Sequence, residues 1–269
     1  MRLPSWFLGE FAGTFLVVFF GCGSVCSAVL TGAQVGVFQV AIVWGLGIAT
    51  AIYLTAGLSG AHLNPAVTLA LTVWQGFPRR RVLACVLAQM LGAFVAAAVL
   101  YGIFQDALAA YELTHHIPRG APGSEATAMI FGEFFPNPAG QPLTEVSRLR
   151  MSHIGAFFAE AVGTAVLLFV ICGVTDARNA SRVGSHSAVI IGLTVTLLIS
   201  LLGPLTMAGL NPARDLAPRL FSALAGWGTY PFSVNGIGWF TVYIVAPILG
   251  AVSGAGLYHK VYRPSQDEA

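Results

Sequence analysis

Six stretches of the chain, over 6–29, 37–56, 82–104, 153–174, 187–205 and 239–258, are apolar almost without interruption. Each is about 20 residues long, the length a helix needs to cross the hydrocarbon core of a bilayer. Two shorter apolar runs, 66–74 and 213–224, fall between the second and third and between the fifth and sixth of these. At 1.5 Å per residue, roughly ten residues reach only about half of a 30 Å core. Both short runs follow the same four residues, Leu-Asn-Pro-Ala, at 63–66 and 210–213. Asn is a favoured N-cap, and Pro is tolerated at the first helical position because its missing N–H would be unpaired there anyway. Asn64-Pro65-Ala66 and Asn211-Pro212-Ala213 therefore predict the starts of two half-helices that enter the membrane without crossing it.

The order long, long, half, long occurs twice, and the flanking residues repeat with it. Glu10-Phe-Ala-Gly-Thr14 opens the first long run, and Glu160-Ala-Val-Gly-Thr164 stands near the start of the fourth. Three crossings per half give the two halves opposite orientations, which is an inverted repeat. The expected fold is an all-α membrane protein with six transmembrane helices and two re-entrant half-helices. It forms a single domain with a first repeat over about 5–104, an outer linker over about 105–150 and a second repeat over about 151–260. The linker holds five prolines between Pro118 and Pro142 and no apolar run of spanning length.

Composition agrees with this reading. Hydrophobic residues make up 56% of the 269 and charged ones only 9%, with 31 glycines, against about a quarter charged in soluble domains. Glycine in such number suits close helix packing in lipid. The run after Arg2 is too long for a leader and contains Glu10, so it is expected to stay as the first helix. With the N-terminus inside, Arg2, Arg79, Arg80, Arg81, Arg178, Arg182, Lys260 and Arg263 lie on the inner side, and Arg119, Arg148, Arg150 and Arg219 on the outer. That excess places both termini in the cytoplasm, in a multi-pass plasma (inner) membrane protein. Cys22, Cys26, Cys85 and Cys172 fall within the apolar runs and are expected to pack rather than pair.

Irregular backbone at membrane depth is tolerated only where it lines a cavity, so a pathway is implied where the half-helices meet. Both N-termini, each equivalent to about +0.5 of an elementary charge, aim at that point and oppose a cation there. The Gly-rich stretches before them would expose carbonyls as a ladder of acceptors, from Gly60, Ala61, His62 and Leu63 and from Met207, Gly209 and Leu210. Glu10 and Glu160, at matched positions without a partner chain of acids or lysines, are expected to hold these loops; the competing role is a proton path. His115-His116 lacks the Cys or carboxylate spacing of a metal site. No nucleophile, phosphate or dinucleotide motif occurs, so neither an enzyme nor a cofactor is expected.

These residues resemble the major intrinsic proteins, and among them the aquaglyceroporins, the glycerol facilitators of bacteria included. The likeness spans roughly 10–258 and is most specific in Ser59-Gly-Ala-His-Leu-Asn-Pro-Ala-Val-Thr68 and Leu210-Asn-Pro-Ala-Arg-Asp215. The resemblance implies a homotetramer in lipid, with one pore per subunit and a selectivity filter on the outer side of the two Asn-Pro-Ala motifs. By position, the filter residues are Trp44, Ile199, Ala208 and Arg214. Trp44 and Arg214 match the glycerol-conducting pattern, which has Gly in place of Ile199 and Phe in place of Ala208; water-selective members have His in place of Ile199. Tyr243 stands where the glycerol-conducting subgroup has Pro. The expected function is passive passage of glycerol, similar small uncharged polyols and water, with ions and protons excluded. A water-selective channel and a proton-coupled transporter using Glu10 and Glu160 are the alternatives. With Phe absent at position 208, size exclusion is expected to be relaxed.

Overall fold

The computed structural model describes residues 3–263; Arg2, one of the inner charges above, lies outside them. Among the described residues, six helices are long and apolar enough to cross a membrane. Helix α1 is Ser5–Cys26, prolonged by a π-helical stretch to Thr31, and α2 is Val37–Ser59. The first half-helix, α3, is Pro65–Trp74, followed by α4 at Arg79–Thr114. In the second half α5 is His153–Thr175, α6 is Ser187–Thr206, the half-helix α7 is Pro212–Ser222, and α8 is Ala246–Leu257 within a span over Gly238–Tyr262.

Packing repeats between the halves. Helix α1 lies against α2 and α4, and α5 lies against α6 and α8 in the same way. Each half-helix is held by the other half, α3 by α8 and α7 by α4. The halves also meet along α2 and α6, where a Cβ on Gly45 would strike the Gly192 carbonyl and one on Gly192 would strike the Gly45 carbonyl. Only glycine permits this backbone-on-backbone approach, whose close van der Waals contact holds helices together in lipid, where apolar burial gives no driving force.

Helix α4 has 36 residues, about 54 Å, and so outruns the hydrocarbon core. It continues past the apolar run because its last turns dock on the linker rather than on water: Leu108 is buried, and Glu112 accepts hydrogen bonds from Arg119 and the Thr127 hydroxyl. Residues 124–135 of the linker are buried, with Gly132 and Glu133 against Asp215 and Arg219 of α7. Glu125 ties this segment together, accepting from the Gly123 and Leu143 N–H groups and from the Tyr230 hydroxyl at 2.9, 2.7 and 2.6 Å. Burial and that carboxylate push the Tyr230 hydroxyl up to about 12, so the bond persists throughout the physiological range. His115 and His116 are exposed at the end of α4, with His115 stacked on Tyr111 at 4.0 Å.

Candidate permeation pathway

The two Asn residues cap their half-helices and also fasten the halves together. Asn64 Oδ1 accepts from the Ala66 N–H at 2.8 Å, and Asn211 Oδ1 from Ala213 and Arg214 at 3.0 and 3.3 Å. Asn64 Nδ2 donates to the Leu210 carbonyl at 2.8 Å, while Asn211 Nδ2 donates to the Leu63 carbonyl at 2.9 Å. Each amide carries two N–H groups, so this exchange leaves a second donor on each Asn at the point where the half-helices meet.

The loops before them share an unusual backbone. Counting back from each Asn, the first, third and fourth residues have positive φ: Leu63, Ala61 and Gly60 at 52°, 52° and 87°, and Leu210, Ala208 and Met207 at 53°, 58° and 64°. Five of these six are not glycine, and each such residue costs on the order of 1–3 kcal/mol. The carboxylates offset that strain. Glu10 accepts from the His62 and Leu63 N–H groups at 2.9 and 2.8 Å, and from Gln89 Nε2 at 2.7 Å. Glu160 accepts from the Gly209 and Leu210 N–H groups at 2.9 and 2.8 Å, and from the Thr206 hydroxyl at 2.6 Å. Across a trans peptide the C=O opposes the N–H, so the carbonyls of Ala61, His62, Ala208 and Gly209 turn away from the carboxylates. Those of Leu63 and Leu210 are taken by the Asn side chains. Ala208 thus belongs to the carbonyl ladder as well as to the expected filter, which the sequence did not disclose because the left-handed turns are invisible in it.

Three adjoining spaces run through the molecule. A vestibule of about 370 Å³ on the linker side, outer in the expected orientation, and an inner one of about 440 Å³ flank a constriction of about 50 Å³ that shares lining residues with both. The constriction shares Trp44, Ile199, Met207 and Arg214 with the outer vestibule, and Asn64 and Asn211 with the inner one. Ala208 lines the constriction alone, with Gly209 and Leu210; Gly60, Ala61, His62 and Leu63 line the inner vestibule. Val17, Ile48, Leu167 and Val195 also line the constriction. It is therefore amphipathic, with aliphatic side chains on one hand and carbonyls, Asn amides and a guanidinium on the other. Glu10 and Glu160 line none of these spaces and are buried.

Trp44 and Arg214 lie against each other, the guanidinium carbon 4.4 Å from the ring centroid. The indole fits because Gly21 of α1 lacks a Cβ, which would otherwise enter the ring. Arg214 is buried, donates to the Phe131 carbonyl at 3.3 Å, and has its Nε 2.9 Å from Glu133 Oε1. The Glu133 oxygens accept no aligned hydrogen bond, so this contact is an ion pair at short range rather than a directed bond. Burial works against the Arg214 charge, and the Glu133 carboxylate beside it offsets that cost. The backbone around Glu133 is fixed by a second pair: its N–H donates to Asp215 at 2.7 Å, its carbonyl accepts from Arg219, and Arg219 and Asp215 lie 2.6 Å apart.

Glu133 was not singled out by the sequence, since it lies in the linker with no repeat or motif around it. Its presence changes the electrostatics expected of the filter. Because the Arg214 charge is paired, opposition to cations falls mainly to the half-helix N-termini and the Asn donors. Tyr243 also acquires a role, its hydroxyl donating to the Thr206 carbonyl at 3.1 Å where α6 gives way to the second loop. Glu10, His62 and Cys85 bring ligand atoms within 4.8 Å of one another, but the Glu10 oxygens are already committed to the two loop N–H groups and Gln89.

A profile of the Major intrinsic protein family matches residues 3–259. The glycerol uptake facilitator protein of Haemophilus influenzae is 42% identical over 254 residues, covering 94% of this chain and 92% of that one. The propanediol uptake facilitator PduF of Salmonella typhimurium is 40% identical over 250 residues, with coverages of 93% and 90%. Among solved structures, the aquaglyceroporin from Plasmodium falciparum superposes with a TM-score of 0.82 at 29% identity, covering 98% of this chain and 99% of that one. A likeness that runs nearly end to end takes in both half-helices and the loops they cap, and with it the chain is a multi-pass membrane protein belonging to the major intrinsic protein family.

Proposed function

We propose that the chain is a passive, bidirectional channel for glycerol and similar small uncharged polyols, with water as a second permeant. The observation that supports this best is the amphipathic constriction between two vestibules. A polyol has hydroxyls along one edge and C–H groups along the other. The carbonyls of Ala208 and Gly209, the free amide N–H groups of Asn64 and Asn211, and the guanidinium of Arg214 replace the water its hydroxyls lose. Trp44, Ile199 and the aliphatic wall receive its C–H edge. Water has no such edge, and a water crossing beside Ile199 lacks a partner, at a cost on the order of 1–3 kcal/mol. The relatives named for glycerol and propanediol uptake support a small polyol as the permeant.

A cation meets the positive ends of α3 and α7 and must shed its hydration, so it is excluded; a proton finds its hydrogen-bonded path reoriented at the Asn pair. The proton-coupled alternative is not favoured, because both carboxylates it needs are saturated by loop donors and stand outside the pathway. We place the channel in the plasma (inner) membrane as a homotetramer with both termini cytoplasmic. In proteoliposomes, a glycerol gradient is expected to collapse far faster with the protein than without it, linearly in concentration and without response to a proton gradient. Stopped-flow light scattering measures this; saturable flux, or flux driven by a proton gradient, rejects the channel.

A further inference from the structure

Met207 occupies a position that its surroundings do not explain by folding alone. The matching position of the first loop is Gly60, and both residues have left-handed backbone, φ 64° and 87°. Glycine adopts that conformation freely, whereas a side chain there is strained. Met207 belongs to one apolar cluster with Val25 and Met129, against which Val40 packs, and these three line the outer vestibule; its Sδ accepts from the Phe134 N–H at 3.3 Å. The residue is 8% exposed, and with Trp44, Ile199 and Arg214 it is one of four that border both the outer vestibule and the constriction. Ala208, where the family pattern has a large aromatic, reaches only the constriction.

We propose that the Met207 thioether is the missing wall of the filter, closing the space that Ala208 leaves, and that it is an oxidation site through which peroxide entering the outer vestibule closes the channel. This rests on the polyol-channel reading for its substrate but not for its chemistry. A thioether is apolar and pliable, suited to sliding along a C–H edge. Hydrogen peroxide is small and uncharged, with hydroxyls that the same vestibule receives. The sulfur lone pair attacks one peroxide oxygen, forming an S–O bond as the O–O bond breaks: sulfur is oxidised by two electrons and keeps that oxygen, and the other oxygen takes up the proton and leaves as water. The sulfoxide is larger and polar, and sulfoxide reductases reverse it. In the narrowest part of the path it both narrows the opening and replaces an apolar wall with a strong acceptor.

The test uses the full-length protein in proteoliposomes, with wild type, Met207→Leu, Met207→Gly and Met129→Leu. Met207→Gly relieves the backbone, so it folds, and it is expected to raise the flux of a four-carbon polyol relative to glycerol by about threefold or more, since aperture sets the sieve. Peroxide is expected to cut wild-type and Met129→Leu glycerol flux by about threefold or more, reversibly with sulfoxide reductase, and to leave Met207→Leu unchanged. Mass spectrometry locates the added oxygen. Inhibition that persists in Met207→Leu, an oxidised Met207 with undiminished flux, a Met207 that peroxide does not oxidise, or a Met207→Gly size series identical to wild type overturns the proposal. Water flux is followed in the same vesicles. A wild type that passes water but no glycerol refutes the polyol reading, while the effect of peroxide on water flux still decides the role of Met207.

Discussion

Replacing Glu133 with alanine is expected to destabilise the protein by about 3–5 kcal/mol, the usual consequence of removing one partner of a buried ion pair. Arg214 would remain buried against the Trp44 ring with its charge uncompensated. The Asp215 and Arg219 contacts are made by the Glu133 backbone, so the alanine variant keeps them and isolates the side chain. Arg214→Ala alone strands the Glu133 carboxylate, and the double variant is expected to lose less than the two single losses combined, by a coupling of about 0.5–3 kcal/mol. Thermal unfolding in detergent gives the stabilities, and light scattering on reconstituted vesicles gives flux per folded channel. Glu133→Gln retains the volume without the charge, so any flux change it shares with alanine is electrostatic. An alanine variant as stable and as conductive as wild type would remove Glu133 from the filter.

The second large effect is expected at Glu160 and Glu10. Glutamine is nearly isosteric, yet it offers one acceptor oxygen and a donor NH₂ where the carboxylate offers two acceptors. At Glu160 the two oxygens receive the Gly209 and Leu210 N–H groups separately, so the amide nitrogen of Glu160→Gln would face a backbone N–H. Orphaning that N–H and losing a charge-assisted bond costs about 2–4 kcal/mol. The variant is expected to melt earlier and to show slower glycerol flux, since the ladder is less well held, but no new dependence on pH. Glu10→Gln should behave alike, because Glu10 meets the His62 and Leu63 N–H groups in the same manner. Complete loss of transport in a variant that folds and assembles normally, joined with a wild-type response to a proton gradient, would return the carboxylates to a proton path.

Much of the fold was legible because the bilayer permits few solutions. Six apolar runs of spanning length can only be helices in lipid, where every backbone N–H and C=O must be paired within the segment. The doubled Asn-Pro-Ala and the doubled Glu-containing stretch revealed the half-helices and the inverted repeat, since N-capping and proline placement are local rules written in adjacent residues. Trp44, Ile199, Ala208 and Arg214 were located by likeness to a family, and all four line the constriction. The apolar run of α4 ends at 104, yet docking of its last turns on the linker, a tertiary effect, carries the helix to Thr114.

Chain pattern alone determined which segments cross the membrane, where the half-helices begin, and that two carboxylates repeat in register. Tertiary structure decided which groups face the path. The left-handed residues before each Asn turn the N–H groups to Glu10 and Glu160 and the carbonyls the other way, and no propensity marks five non-glycine residues for that conformation. It also brought Glu133 from the linker to Arg214, and set Met207 rather than Ala208 at the outer rim. These contacts join residues far apart in the chain, and their free energy arises from burial and charge pairing that exist only once the elements are packed. Local sequence records the cost of such an arrangement, a strained loop or an isolated charge, but the partners that offset it are supplied by the fold.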